Sequence, residues 1–159
     1  MVIYMNEDKK PMIESLKLEG ELEIIVKDKD GKVKDYRKIK NLVVSAGKAQ
    51  VAGLINGATT GVFNYIAIGT GTTAPASTDT ALQTEVARAS ATVGRTTTNV
   101  TNDTATWSAT FNFTASYAIT EAGIFNASSG GTMLARQTFS AVNVVSGDSL
   151  TINWKVTVS

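Results

Sequence analysis

Val62-Phe63-Asn64-Tyr65-Ile66-Ala67-Ile68-Gly69, running on through TGTTAPASTDTALQTEVAR to Arg88, is the stretch on which the rest of the chain turns. Apolar residues fill both parities from Val62 to Ile68, with only Asn64 interrupting, so this segment reads as a strand buried on both faces. Gly69 and Gly71 open a loop that Pro75 excludes from ladder pairing. Asp79 is placed to cap Thr80-Ala81-Leu82-Gln83-Thr84-Glu85, which predicts about one and a half helical turns. A long strand then starts at Val86.

Toward the C-terminus the pattern is strand-like throughout. Val86 to Val100 is rich in threonine and alanine, with a bend or bulge expected near Gly94. Trp107, Ala109, Phe111 and Phe113 alternate with Ser108, Thr110, Asn112 and Thr114, which makes an inward row. Leu150, Ile152, Trp154, Val156 and Val158 form another. Turn signals at Thr101–Thr104, Ser128–Gly131 and Ser146–Asp148 separate these strands.

Toward the N-terminus, Leu16, Leu18, Leu22, Ile24 and Val26 share one parity. Asp28-Lys29-Asp30-Gly31 supplies a turn and Lys32 to Lys40 returns, giving a charged hairpin over 16–40. The lysines suit an exposed sheet edge. The Asp-x-Asp-Gly is not a calcium loop, because the bidentate glutamate of that motif is missing. One helix is expected over about 45–56, with Ser45 as N-cap, Val51, Leu54 and Ile55 as its apolar stripe and Gly57 just past its end. Residues 1–15 show neither period. Val2, Ile3, Tyr4, Met5, Met12 and Ile13 flank a charged centre, which predicts an extended arm whose apolar ends dock on a partner.

The fold expected is therefore mainly β: an antiparallel sandwich or barrel-like domain over 16–159, with its main body at 62–159, one short helix, the charged hairpin and the arm. At 159 residues the chain suits a single domain.

Composition narrows the chemistry. The chain has no cysteine and no histidine, which removes disulfides, thiolate chemistry and the commonest general base and metal ligand. Net charge is +1, so bulk charge supports no specific nucleic-acid partner. Of 29 charged residues 19 fall within residues 1–40, leaving 10 for the remaining 119. So charge-poor a body suggests a surface covered by neighbouring copies. No apolar run reaches the ~18–20 residues needed to span a membrane, and none is expected there. Met1–Met5 lacks the length and basic lead of a signal segment, so the protein is expected to be made inside a cell.

Gly69-Thr70-Gly71 resembles a phosphate loop, but the third glycine and the helix that would open on the loop are absent. Gly47-Lys48 lacks the rest of a P-loop. Glu85 and Arg88, three apart, are expected to pair if the helix persists. Glu121, among Ile119, Ala122 and Ile124, is expected to be partly buried and paired with Arg88, Arg95 or Arg136. No residue is singled out as catalytic, cofactor-binding or metal-ligating.

Several segments taken in order resemble tailed-bacteriophage virion structural proteins. They are Lys40–Val43 with Ala46-Gly47-Lys48, Ile66–Pro75, Asp79–Leu82 with Glu85–Arg88, Ile119–Asn126, Gly131–Arg136 and Gly147–Ile152. Together they cover roughly residues 40–159. The resemblance implies a non-enzymatic, symmetric, multi-copy part of a virion, made in the host cytoplasm and needing no cofactor. It favours a head-decoration protein, a trimer bridging capsomers of the major capsid protein. The alternatives are a tail or fibre-associated protein and, from another class, a carbohydrate-binding module using Tyr4, Tyr36 or Tyr117.

Overall fold

The structure is a computed structural model that describes residues 15–159 in full and, for the segment before them, the backbone of Ile3–Met5 and Pro11–Ile13. Those two short strands, β1 (Ile3–Met5) and β2 (Pro11–Ile13), pair antiparallel with Ile3 opposite Ile13. Two pieces of the expected arm are thus a hairpin and not one extended run. Val2 and the side chains of Ile3, Tyr4, Met5, Met12 and Ile13 lie outside the described residues.

The body comprises β3 (Leu18–Lys27), β4 (Val33–Val43), α1 (Ser45–Asn56), β5 (Tyr65–Gly69), β6 (Glu85–Ser90), β7 (Thr92–Thr96), β8 (Thr104–Asn112), β9 (Tyr117–Phe125), β10 (Met133–Val144) and β11 (Ser149–Val158). All nine strands join one antiparallel sheet in the order β6-β5-β9-β10-β4-β3-β11-β8-β7, nearly closed into a barrel. The fold is mainly β with one helix, as the turn spacing and the alternating rows require.

Two strands turn the corners. β4 pairs with β3 along most of its length but meets β10 only at Leu42 and Val43. At the opposite seam, β6 pairs with β5 and β7 with β8, with Ala91 alone between them. The bend expected near Gly94 falls three residues before it, at Ala91, whose N–H donates to the Asn64 carbonyl at 2.8 Å. The chain bends where it passes from one end of the sheet to the other, and Gly94 sits in regular pairing opposite Thr106.

The barrel core takes the predicted parities. Leu22, Ile24 and Val26 on β3, Trp107, Ala109 and Phe111 on β8, and Leu150, Ile152, Trp154 and Val156 on β11 are all buried. Val158, at the end of its row, is exposed. Filling the interior with these large side chains is the main apolar contribution to stability, about 1.5–3 kcal/mol for each fully buried Leu, Ile or Val. Two polar groups share that interior. The Trp107 indole N–H donates to the Phe63 carbonyl at 2.8 Å, and the Trp154 indole N–H to Asn41 Oδ1 at 2.7 Å, each meeting the need of a buried indole.

The helix forms where expected, but its start differs. Val44 occupies the cap position and no side chain caps the first turn. The Ser45 N–H is instead taken by the Ser77 carbonyl at 2.8 Å, so the loop after β5 does what a capping hydroxyl would do. Gly57 closes the helix at φ 74°, in the left-handed conformation that a C′ glycine supplies. Gly47 lets the helix press on β10, since a Cβ there would lie 2.5 Å from the Leu134 carbonyl oxygen. Of the expected stripe, Val51 and Leu54 pack on the core, whereas Ile55 is 72% exposed.

Candidate functional site

The strand β5 is buried on both faces, as its composition demands. Ile66 and Ile68 face the barrel core, while Ala67 joins Val44, Leu82, Phe125 and Met133 in a second, smaller core outside it. The cover of that outer core is the loop between β5 and β6. The structure shows no helix at residues 80–85: residues 80–84 are irregular with bends, and Glu85 already opens β6. Asp79 does not cap a helix; its Oδ2 accepts from the Ala76 N–H at 2.9 Å. Leu82 descends onto the sheet over Gly123, where a Cβ would lie 3.2 Å from its Cδ2.

What holds this loop down is one carboxylate. Glu121 on β9 is fully buried, and its two oxygens accept five hydrogen bonds. Oε1 accepts from the N–H groups of Gly71 and Thr84, at 2.9 and 2.7 Å. Oε2 accepts from the Gln83 N–H at 3.0 Å and from Arg136 Nε and Nη2 at 3.1 and 2.9 Å. Arg136, 2% exposed, also donates from Nη1 to Asp79 Oδ2 at 2.8 Å and from Nη2 to the Thr73 carbonyl at 3.0 Å. Of the three arginines weighed as partners for Glu121, Arg136 is the one that meets it. Nearby, Gln83 Oε1 accepts from the Thr72 and Thr73 N–H groups, and the Thr120 hydroxyl donates to the Gly71 carbonyl.

The glycine pair now has a physical reason. A Cβ on Gly69 would lie 2.6 Å from Glu121 Oε1, and one on Gly71 would lie 2.5 Å from it. The loop does bind an anion through its backbone, as phosphate loops do, but that anion is the chain's own carboxylate. Burial pushes the Glu121 carboxyl up; the donors from Thr84, Gln83, Arg136 and Gly71 outweigh it and hold the group below the ordinary glutamate value. Charge-assisted bonds of this kind fix geometry strongly. With every acceptor position occupied from within, the arrangement is a structural clasp.

Glu85 and Arg88 also meet, though not on a helix. Arg88 Nε and Nη2 donate to Glu85 Oε1 at 3.2 and 2.6 Å. Both lie on β6, where an extra residue between Glu85 and Ala87 breaks the strand alternation and brings positions three apart to one side. Arg88 further donates from Nη1 to the carbonyls of Ala127 and Gly130, both at 2.8 Å, and its guanidinium lies 3.8 Å from the centre of the Phe125 ring. Arg88 therefore ties the β9–β10 turn to β6 and roofs the outer core.

No family model, curated protein or solved structure matches the chain. Its own geometry has to carry the functional reading.

Three aspartates serve turns. In the β3–β4 turn Asp28 Oδ1 accepts from the Asp30 and Lys32 N–H groups, both at 2.9 Å. Asp103 accepts from the N–H groups of Thr98, Asn99 and Val100, and Asp148 from Lys34 Nζ and the Val145 N–H. The sequence placed both in turns but did not assign their partners; for Asp103 the Thr/Asn run three to five residues before it was the available signal. Among the described residues no group of acidic side chains is placed to hold a metal, and no helix is long and apolar enough to cross a membrane.

Proposed function

We propose that this chain is a non-enzymatic structural protein of a tailed-bacteriophage particle, a head-decoration protein that braces neighbouring capsomers from outside the shell. The observation that carries the reading is where the body's few charges go. Of the ten after Lys40, Glu121, Arg136 and Asp148 are buried. Asp79 is paired with Arg136 and Glu85 with Arg88, and Asp103 is taken up by its loop. Lys48, Arg95 and Lys155 are the other three. Outside the charged β3–β4 hairpin, the surface after Lys40 is thus mostly Ser/Thr/Asn with few free charges, the kind of face that neighbouring copies cover.

The mechanism is additive. Each copy buries modest area against the shell and against its neighbours in a trimer, and many copies together resist internal pressure. The arm at residues 1–15 extends the contact to an adjacent subunit. The carbohydrate-binding reading draws less support: Tyr36 donates its hydroxyl to Glu23 at 2.8 Å and Tyr117 tilts against Phe113, with ring centres 5.9 Å apart, so each is engaged within the fold.

Mass spectrometry of purified particles tests the proposal. The chain should appear in copy numbers comparable to the major capsid protein. A few copies per particle would select the tail or fibre reading, and absence from particles would overturn both.

A further inference from the structure

The strand β7 ends the sheet with an open edge whose backbone groups can be assigned one by one. At the two ends of β8, the Phe113 N–H donates to the Asp148 carbonyl and the Val158 N–H to the Asp103 carbonyl, both at 3.0 Å. The odd-numbered residues of β8 therefore bond to β11, and Thr104, Thr106 and Ser108 bond to β7. Their partners there are Thr96, Gly94 and Thr92. Val93 and Arg95 thus turn their N–H and C=O groups to the far side. Ala91, of the same parity, points the same way, donating its N–H to Asn64. β5 does not extend to meet them: its lead-in turns into the barrel at Phe63, whose carbonyl takes the Trp107 indole N–H. Among the described residues no hydrogen bond reaches these four groups.

The edge also lacks the features that keep other strands away. β4 is open along the residues that β10 does not reach, yet Lys34, Lys38 and Lys40 line it, and Arg37 bridges to the Ser140 and Ala141 carbonyls. β7 is short but has no lysine, proline or bulge. It pairs regularly with β8 throughout, and Val93 on it is 56% exposed.

We infer that this edge pairs with β7 of a second copy of the chain, antiparallel, about a two-fold axis through Gly94. Val93 and Arg95 stand two apart, and each offers one donor and one acceptor. In that register Val93 of each copy faces Arg95 of the other, and all four groups of each chain are satisfied. Val93 lies along the aliphatic stem of the opposing Arg95, Thr92 faces Thr96, and no like charges stand directly opposite. The contact is isologous, so it closes on two copies and builds no filament. Asn64, already bonded to Ala91, limits it to residues 92–96. So short a contact falls well below the roughly 1,200–2,000 Å² buried in stable interfaces. It is therefore weak in dilute solution and gains where many copies are held together. The pairing depends on the edge geometry and not on the particle reading; on a particle it would link one group of copies to the next.

The test uses the full chain, which has no native cysteine to confuse a crosslink. Gly94→Cys falls on the axis, in a non-hydrogen-bonded pair with Cα atoms about 4.5 Å apart, within the span of a disulfide. Oxidised at high concentration, it should give several-fold more covalent dimer than Thr110→Cys, exposed on β8 away from the edge. Equal yields overturn the pairing. Register is read by mixing Thr92→Cys and Thr96→Cys, carrying tags of different size. The mixed dimer should exceed both homodimers; an excess of either homodimer overturns the two-fold register. Arg95→Pro, added to Gly94→Cys, removes only an N–H that points away from β8. Its thermal melt should be retained while the dimer falls to the Thr110→Cys level. Should the proline lower the melt, Val93→Lys serves the same end by placing a lysine on each side of the axis. An unchanged dimer yield in a folded variant overturns the pairing. Copy number on particles is a separate measurement, so failure of either reading leaves the other standing.

Discussion

Arg136 and Glu121 lie on adjacent strands, β10 and β9, and meet through two hydrogen bonds onto a single oxygen, with Glu121 fully buried and Arg136 2% exposed. The pair is sealed beneath the residue 70–84 loop, and both partners donate or accept further bonds to that loop. Removing either one leaves the other charge buried without compensation. Arg136→Met should therefore destabilise the protein by about 3–5 kcal/mol in urea unfolding. A loss below about 1 kcal/mol would show the loop held by apolar packing under Leu82 instead.

Acid should release the same clasp. The folded-state carboxyl of Glu121 lies below its unfolded value, so its stabilisation is complete above about pH 4.3 and is lost as pH falls through and below that value. Three other groups act in the same direction. Lys34 and the Val145 N–H depress Asp148; Asn153 and Tyr36 depress Glu23; the Val100 N–H, ahead of those of Asn99 and Thr98, holds Asp103 well below the usual carboxylate range. The urea midpoint should be flat from about pH 7 to 5 and fall steeply below about 4. In Glu121→Gln the protein should be weaker at neutral pH and its acid slope shallower. An unchanged slope would assign the acid sensitivity to the other three groups.

Gly71→Ala should cost about 1–3 kcal/mol through overpacking, because the new methyl meets both Glu121 Oε1 and the Gln83 Cβ, 2.4 Å away. Gly94→Ala offers the contrast. Its Cβ would meet only the Thr106 hydroxyl at 3.2 Å on an exposed strand, so the change should stay within about 0.5 kcal/mol. Equal effects at the two sites would remove the close-approach explanation of the Gly-Thr-Gly loop.

Ser45→Ala should also be nearly neutral, within about 0.5 kcal/mol, although a capping serine ordinarily contributes about 0.5–2 kcal/mol. Its side chain caps nothing, and the Ser77 carbonyl serves its N–H in either variant. A thermal-melt loss of several degrees would restore the hydroxyl to the capping role.

The strands with one parity in water were legible from the sequence, because their alternation is produced by the burial itself. The rows at Trp107–Phe111 and Leu150–Val156 are the examples. The both-face burial of β5 was legible too, since Ala67 needed a second cover that only another part of the chain could supply. Misread were the places where long-range contacts replace local signals. Asp79 looks like a cap because its nearest neighbours suit a helix, but Arg136, 57 positions away, takes its carboxylate. Glu121 was expected to be partly buried and paired with one of three arginines; that it is fully buried, with the Gly71, Gln83 and Thr84 N–H groups turned onto it, depends on a loop path that no local pattern encodes. The corner was expected near Gly94, but its place at Ala91 is likewise set by sheet closure.

Gold-labelled antibody against this protein on intact particles tests the proposed role most directly. Label spread over the head is predicted. Label confined to one end would contradict the decoration role and make the chain a tail component, and particles without label would contradict a virion role altogether.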